Sequence, residues 1–280
     1  MGLGRTWLAG LRGRGIKAAV RRSASTHAVF PSSFAAPRVG TAGWSIPSAV
    51  TERFSGQGSQ LERYARQFRT VEINSSFYRP HREATYERWA ASVPDEFTFA
   101  VKAPRQVTHD RRLVGTTQLL ASFRDGIARL GEKLGPVLIQ LPPSLAFDDA
   151  VAGRFFETWR ELFDGLTVCE PRHPSWYSNP ATSRLAEARV ARVIADPQID
   201  CEPSQGAEFG ECAYYRLHGS PVMYASSYGP SRLDELARRL IKSTELLPTW
   251  CIFDNTKYGA ATGNALALKA HLEDPDFGGA

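Results

Sequence analysis

The sequence predicts an α/β protein built as a single TIM-barrel-like (β/α)8 domain. Three observations support this class. Eight short runs rich in β-branched and aromatic residues alternate with helical patterns from Arg38 onward. Residues 39–280 are close in number to the roughly 250 residues typical of this barrel. The fingerprint G-x-G-x-x-G of the doubly wound open sheet, which is the alternative arrangement, is absent from the sequence.

The predicted strands follow one another at regular intervals. They cover residues 38–44, 70–78, 97–103, 136–141, 166–172, 190–196, 213–219 and 250–256. Helices are predicted between them, at apolar spacings of i, i+3 and i+4, over residues 61–68, 83–92, 118–134, 151–162, 182–188, 233–245 and 264–272. Residues 197–211 are rich in proline, glycine and acids, so a loop is predicted there instead of a helix.

The positive charge is concentrated at the N-terminus. The formal charge is +5, yet residues 1–38 hold seven arginines and lysines and no acid, which leaves the remainder at −2. A near-neutral body argues against a general DNA-binding field. We expect residues 1–38 to be a basic, disordered leader or the product of a misassigned start, and residues 39–280 to be the barrel domain. A mitochondrial transit peptide is the alternative interpretation of the leader.

The remaining composition indicates the compartment. No run of about 18 apolar residues occurs, which argues against a membrane-spanning helix. The four cysteines form no C-x-x-C pair, and Cys169 and Cys251 lie in apolar strand-like runs, which favours buried free thiols. We therefore expect a soluble protein in the cytoplasm, or in the mitochondrion if the leader is a transit peptide.

Polar side chains break the apolar pattern at the carboxyl ends of most predicted strands. Residues i and i+2 of a strand share one face, and the inner face of a small barrel is normally aliphatic. The exceptions are the pairs Glu72 and Asn74, Glu170 and Arg172, Arg216 and His218, and Asp254 and Thr256, with Lys102, Gln140 and Asp196 as single residues. Barrel enzymes hold their active sites at this end, so the pattern predicts a site there; a set of structural ion pairs is the alternative.

The residue types suggest roles within this site. Glu72 and Glu170 are candidates for a general acid or base, and His218 for a proton shuttle. Lys102 is a candidate for an electrostatic role, with a Schiff base as the less favoured alternative. Asp196 and Asp254 are candidate ligands of a divalent metal. The candidates for substrate binding are Trp44, Asn74, Tyr78, Gln140, Arg172, Trp176, Arg216, Tyr224 and Asn255.

His173 and His218 could also ligate a metal, whereas His81, His109 and His271 are interpreted as loop or surface residues. The charges of the predicted site nearly balance, which suits a polar, hydroxylated ligand, and a bound divalent cation would favour a phosphate or carboxylate.

We expect Glu170 to sit among like charges, so that Glu170→Gln leaves stability unchanged or raised while turnover or binding is lost.

Eight motifs in order along the chain resemble those of the YecE-like family, domain of unknown function 72. They are VGTAGWS (39–45), VEINSSFYR (71–79), FAVKAPRQVTH (99–109), LGPVLIQLPPS (134–144), EPRHPSW (170–176), ADP (195–197), YYRLHGSP (214–221) and IFDNT (252–256). The resemblance covers essentially residues 39–272. It implies a TIM-barrel-like fold and no particular reaction, because the family has no assigned activity.

The sequence thus favours an enzyme of the hydrolase or isomerase type that acts on a sugar, sugar phosphate or phosphoester by acid/base chemistry, with or without a divalent metal. A non-catalytic ligand-binding or regulatory barrel is one alternative. A nucleic-acid processing enzyme is the other, in which the basic leader and the aromatic residues near the strand ends hold single strands.

Overall fold

The computed structural model describes residues 36–199, 210–274 and 277 of the chain. Most of the predicted basic leader, residues 1–35, lies outside the described residues. The same holds for the larger part of the predicted loop at residues 197–211 and for Cys201.

The strands form two parallel sheets, and the α/β class is confirmed. The first sheet has the order β1-β9-β8-β7 and the second β2-β3-β4-β5-β6. Each of the eight predicted runs overlaps a strand, and the sixth run contains two that are separated by Val193. The strands are β1 (Arg38–Thr41), β2 (Thr70–Ile73), β3 (Thr98–Lys102), β4 (Leu134–Gln140), β5 (Thr167–Glu170), β6 (Ala191–Arg192), β7 (Ile194–Asp196), β8 (Ala213–Leu217) and β9 (Thr249–Phe253).

Two features connect the sheets at their edges. An isolated parallel bridge pairs Ala42, just after β1, with Glu72 of β2. The amide of Gly43 also donates to the carbonyl oxygen of Glu72 at 2.8 Å. At the other edge, β6 and β7 follow each other directly with only Val193 between them. The order of pairing therefore follows the order of the chain from β1 to β9, and β9 pairs with β1.

In the described ranges, six α-helices lie between strands and a seventh follows β9, each close to a predicted position. They are α1 (Gln60–Ala65), α2 (Glu83–Ala91), α3 (Thr117–Ile127), α4 (Asp149–Leu162), α5 (Asn179–Glu187), α6 (Pro230–Thr244) and α7 (Ala260–Glu273). Local chemistry fixes several ends. Ser59 and Glu62 form a reciprocal capping box at α1, and Asp148 accepts a hydrogen bond from the Val151 amide at α4.

The short helices that follow β1, β2, β3 and β5 were not predicted. They are the 3-10 turns Ser48–Phe54, Ser75–Phe77 and Pro174–Tyr177 and the π-helix Gln106–Asp110, whereas the 3-10 turn Ala128–Lys133 lies before β4 within the predicted helix 118–134. The second strand consequently ends at Ile73 and not at Tyr78. Ser76 explains this end, because its hydroxyl donates to the carbonyl oxygens of Ile73 at 3.0 Å and Lys102 at 2.7 Å and so turns the chain.

Both faces of the strands are covered by apolar side chains. On β4, Val137 and Ile139 belong to the large cluster that packs against the helices, whereas Leu138 between them belongs to a second, smaller cluster. This inner cluster consists of residues in or beside the strands: Ala100, Leu138, Val168, Ala191, Val193, Cys212, Tyr214, Trp250 and Ile252. The alternation shows that one face of the strands is turned to the helices and the other to the remaining strands.

Two predictions from composition can be compared with the structure. Cys169 and Cys251 are buried free thiols, as predicted, and Cys212 is a third. Across the described ranges, no helix is long and apolar enough to cross a membrane.

Candidate functional site

A layer of polar side chains lies beyond the inner apolar cluster, toward the carboxyl ends of the strands. Alternate residues share a face, so the next inward residue after each apolar one is polar. The successions are Ala100 to Lys102, Leu138 to Gln140, Val168 to Glu170, Tyr214 to Arg216 to His218, and Ile252 to Asp254. We call the connected set Glu72, Glu170, Arg172, Tyr214, Arg216, His218 and Asp254 the charged network.

Arg216 is the centre of the charged network and is fully buried. Its Nη2 lies 2.8 Å from Oε1 of Glu72 and 3.0 Å from Oδ2 of Asp254. Its Nη1 lies 3.0 Å from Oε2 of Glu170. Burial alone would lower the pKa of Arg216, but the three carboxylates outweigh burial and raise this pKa well above its ordinary value. Arg216 is therefore a permanent cation.

Glu170 is surrounded by positive partners. It accepts from Arg216, lies 2.9 Å from Nε2 of His218 through Oε1, and also pairs with Arg172. Burial alone would raise the pKa of Glu170, yet Arg216, His218 and Arg172 hold it well below the usual range. The expectation that Glu170 sits among like charges is wrong, because the sequence does not show that two arginines reach this carboxylate.

His218 lies between two carboxylates. Its Nδ1 is 3.0 Å from Oδ2 of Asp254 and its Nε2 is 2.9 Å from Oε1 of Glu170, and Arg172 lies within hydrogen-bond reach of Nε2 as well. A neutral imidazole donates from one nitrogen only and can accept from Arg172 with the other, whereas an imidazolium donates to both carboxylates. The two arrangements differ by one proton.

Asp254 completes this side of the charged network. Burial tends to raise the pKa of Asp254, but Arg216 and His218 outweigh burial and hold it below its ordinary value. The carboxylate is therefore an anion at neutral pH.

Tyr214 is a member that the sequence analysis missed. Its hydroxyl donates to Oε2 of Glu72 at 2.8 Å, and both side chains are fully buried. Burial and the Glu72 carboxylate raise the pKa of Tyr214 well above its ordinary value, so the hydroxyl stays a donor. The signal was present in the sequence, since Tyr214 lies two residues before Arg216 and shares its face.

Lys102 lies beside the charged network without an ion pair. Only 7% of the residue is exposed. Its Nζ lies 4.2 Å from the centre of the Phe77 ring and makes no hydrogen bond or ion pair with any other residue that the structure describes. Burial, with repulsion from Arg216, lowers the pKa of Lys102 to about 8, against the attraction of Glu72, Asp254 and Glu170.

His109 lies close to the same point, although its sequence position suggested a loop or surface residue. The π-helix Gln106–Asp110 places its ring 5.0 Å from that of Phe77. Burial and the charge of Lys102 lower the pKa of His109. A π-helix has no simple sequence signature, so this placement could not be predicted, although such helices often occur at functional sites.

Exposure divides the polar layer into two depths. Glu72, Arg216 and His218 are 0% exposed. Asp254 and Lys102 keep a small exposed fraction at 5% and 7%, and Arg172 and Gln140 are half-buried. Lys102, Arg172, Asp254 and Gln140 therefore form the outer part of the polar layer, and Glu72, Arg216 and His218 lie deeper.

Three of the predicted substrate-binding aromatic residues lie elsewhere. Trp176 is buried, and its Nε1 donates to the carbonyl oxygen of Leu145 at 2.9 Å. Trp44 packs edge-on against Trp89 of α2, with ring centres 5.0 Å apart. Tyr78 is 77% exposed. No hydrogen bond, ion pair or ring contact joins Trp44, Tyr78 or Trp176 to the charged network in the described part of the chain.

The other predicted binding residues surround the polar layer. The ring of Tyr224 meets that of His218 edge-on at 5.4 Å, and Gln140 is the register partner of Glu170. Asn255 is buried and holds the loop after β8, because its Nδ2 donates to the carbonyl oxygen of Ser226 at 2.9 Å. Asn74 begins the 3-10 turn after β2, and its Oδ1 is buried without a hydrogen-bond partner within the described ranges.

The predicted metal ligands Asp196 and Asp254 engage cations in separate ion pairs. The Asp196 carboxylate lies 3.2 Å from Nη2 of Arg232 on α6, and Oδ2 of Asp254 is shared by Arg216 and His218. In residues 36–199, 210–274 and 277, no group of three or more His, Cys, Asp and Glu side chains is placed to hold a metal ion. The described geometry does not fit the predicted divalent-metal site.

Two cavities lie apart from the charged network. One of about 390 Å³ is formed by the turn Ser48–Phe54 and α7, and the other, of about 140 Å³, by residues 113–117 and α4. Neither is lined by a member of the charged network.

Comparison with known proteins places this arrangement in a family. The chain spans about three fifths of the curated relatives that it matches. These include UPF0759 protein YunF of Bacillus subtilis (strain 168), which is 26% identical over 174 residues, 58% of this chain and 61% of the relative. UPF0759 protein YecE of Escherichia coli (strain K12) is 27% identical over 165 residues, 56% of this chain and 58% of the relative.

Solved structures agree on the fold. A DUF72 family protein from Thermotoga maritima superimposes with a TM-score of 0.72 at 24% identity, covering 85% of this chain and all of that one. A DUF72 family protein from Enterococcus faecalis V583 gives a TM-score of 0.70 at 21% identity, covering 84% of this chain and 94% of the other. The model of the family described as "Protein of unknown function DUF72" matches residues 38–277. The resemblance drawn from the eight motifs is confirmed, and the chain belongs to the DUF72 family.

Proposed function

We propose that the two sheets are parts of one closed (β/α)8 barrel with an active site at the carboxyl ends of its strands. The bridge between Ala42 and Glu72 and the single residue between β6 and β7 support closure at both edges. The pairing of β9 with β1 completes the ring. Active sites of such barrels lie at the carboxyl ends of the strands, which is where the charged network lies.

We further propose that the protein is an enzyme that acts on a small hydroxylated or phosphorylated molecule by acid/base chemistry. The observation that carries this proposal is the position of His218 between Asp254 and Glu170. Burying several ionisable groups costs stability, and a histidine in contact with two carboxylates offers a path for proton transfer in acid/base chemistry. Such a group is useful where protons are taken up and returned.

The two depths suggest a division of roles. Lys102, Arg172 and Asp254 are in a position to touch the substrate, and Lys102 with a pKa of about 8 lies in the range where an acid/base group works well at neutral pH. Arg172 supplies a donor for an anionic oxygen. The deeper residues Arg216, Glu72 and Tyr214 are positioning residues, because they hold Asp254 and Glu170 as anions and in place.

The loops around the site favour an anionic substrate. Arg79 and Arg82 follow β2 and are exposed, and no acid lies between residues 74 and 82. Arg111 and Arg112 follow β3 and are also exposed. A sugar phosphate or phosphoester is therefore favoured over a neutral sugar, because Arg side chains bind phosphate oxygens well.

The test is a thermal-shift screen of the full chain against sugars, sugar phosphates, single-stranded oligonucleotides and divalent metals. We expect a sugar phosphate to raise the melting temperature of the wild type and of the control Asp196→Asn, and to do so far less in Arg172→Gln and Asp254→Asn. Proton NMR of the same ligand in D2O should then show exchange of ligand protons for deuterium, or conversion of the ligand, only with proteins whose charged network is unchanged. Equal shifts in all four proteins, or shifts with oligonucleotides alone, would overturn the proposal.

A further inference from the structure

We propose that Lys102 is a nucleophilic amine that forms a Schiff base with an aldehyde or ketone group of the substrate. This inference rests on the proposed active site, and it narrows the substrate class to molecules that carry a carbonyl group.

The first argument is that Lys102 is the cation of the polar layer without an anion. Arg216 and Arg172 each pair with a carboxylate, whereas the Lys102 amine lies over the face of Phe77 and forms no ion pair within the described ranges. A buried lysine retained for its charge is normally paired. Among the described residues no hydrogen-bond donor points at the nitrogen, so its lone pair is free for an electrophile when the amine is neutral.

The second argument concerns the charge state. The groups that face Lys102 are Arg216, which repels its charge, the carboxylates of Glu72, Glu170 and Asp254, which attract it, and His109 on the π-helix. Burial and Arg216 prevail, and the pKa of Lys102 is lowered to about 8. The neutral amine is then about 200-fold more populated at pH 7 than in an ordinary lysine with a pKa of about 10.4.

The chemical step needs no further reagent. The neutral Lys102 amine attacks the carbonyl carbon: a C–N bond forms, the C=O π bond breaks, and one proton passes from the nitrogen to the oxygen to give a carbinolamine. The C–O bond then breaks, the second proton of the nitrogen passes to the oxygen, which leaves as water, and a C=N double bond forms. The neutral imidazole of His109, which packs on the same Phe77 ring, can relay these protons by accepting one from the nitrogen and returning it to the oxygen.

The experiment traps the imine in the full-length protein. Dihydroxyacetone phosphate and dihydroxyacetone are each incubated with the protein and sodium cyanoborohydride at pH 7.5, and the adduct is mapped by peptide mass spectrometry. We expect labelling at Lys102 at least tenfold above that at the exposed Lys257. The Lys102→Arg variant, whose fold is checked by circular dichroism, should lose this label, and the control Lys257→Arg should keep it.

A second measurement does not depend on the choice of carbonyl compound. Competitive labelling with trace acetic anhydride should show half-maximal reactivity of Lys102 near its pKa of about 8. The inference would be overturned if the reactivity of Lys102 rose with pH over the same range as that of the exposed lysines. It would also be overturned if the trapped adduct were spread over several lysines without excess at Lys102.

The outcomes separate this inference from the proposed function. If a sugar phosphate raises the melting temperature in a way that depends on Asp254, but no adduct is trapped at Lys102, the Schiff base is contradicted and the proposed active site is supported. If an adduct forms at Lys102 but the ligand-induced change in melting temperature is the same in the wild type, Asp254→Asn and Arg172→Gln, the acid/base proposal is contradicted. The reactive Lys102 amine is then supported on its own.

Discussion

Arg216 and Glu72 form a two-point ion pair from which solvent is excluded: Nη2 lies 2.8 Å from Oε1, and Nε lies 3.0 Å from Oε2. Both side chains are fully buried. Breaking such a pair from one side leaves an uncompensated charge in the interior, which typically costs about 3–5 kcal/mol. This pair therefore sets how the charged network responds to substitution.

Glu170→Gln should destabilise the protein by about 3–5 kcal/mol, because Nη1 of Arg216 and the guanidinium of Arg172 both lose an anionic acceptor. The measurement is a denaturant melt beside wild type. The control is Glu235→Gln, an exposed member of an ion pair on α6, which should leave the midpoint almost unchanged. A stable Glu170→Gln protein would show that the network relaxes around the missing charge.

Tyr214→Phe should cost about 1.5–3 kcal/mol, the range for a hydrogen bond to a charged group, since it leaves Oε2 of Glu72 with one donor fewer. The neighbouring Tyr215→Phe is a matched control, because the Tyr215 hydroxyl bonds the neutral Ser243 at 2.6 Å. It should cost about 0.5–1.5 kcal/mol. Equal losses in the two variants would argue against a special role for Tyr214.

Lys102→Met should raise stability at neutral pH by about 1–3 kcal/mol, because it removes a buried cation whose charged form is disfavoured. The unfolded chain binds the proton more tightly than the folded one, so the stability of the wild type should rise with pH between about 8 and 10.4. Urea melts at pH 7, 9 and 10 should show this slope in the wild type and its loss in the variant. A destabilised Lys102→Met protein would mean that Lys102 is needed as a charge.

Acid should weaken the fold through Glu170 and Asp254, whose pKa values are lower in the folded than in the unfolded state. Their contribution is complete above the unfolded pKa values of about 4 and is lost as the pH falls below them toward the folded values. Unfolding free energies measured from pH 6 to pH 3 should fall less steeply in Glu170→Gln than in the wild type. Parallel curves would assign the acid sensitivity to other groups.

Asp196→Asn should cost less than about 1 kcal/mol and leave ligand responses unaltered, because the carboxylate pairs with Arg232 at a partly exposed position. Ligand-induced shifts are compared with those of the wild type. A loss of ligand binding in Asp196→Asn would show that Asp196 is part of the binding site.

The sequence predicted the strand positions and the shared face of the polar residues well, because two-residue alternation is a local property of a strand. It did not predict where β2 ends, since that depends on Ser76 reaching the carbonyl oxygen of Lys102 on a neighbouring strand. The direction of Asp196 depends on Arg232, which lies 36 residues further along the chain. Trp176 is held in the same non-local way by Leu145. Such contacts leave no periodic signal.

The inner apolar cluster also determines how the charged network exchanges with its surroundings. Leu138, Val168 and Ile252 are fully buried beneath the polar layer and offer water no polar group to bind. Within the described residues, solvent therefore approaches the charged network from the side of Lys102 and Asp254, which keep a small exposed fraction.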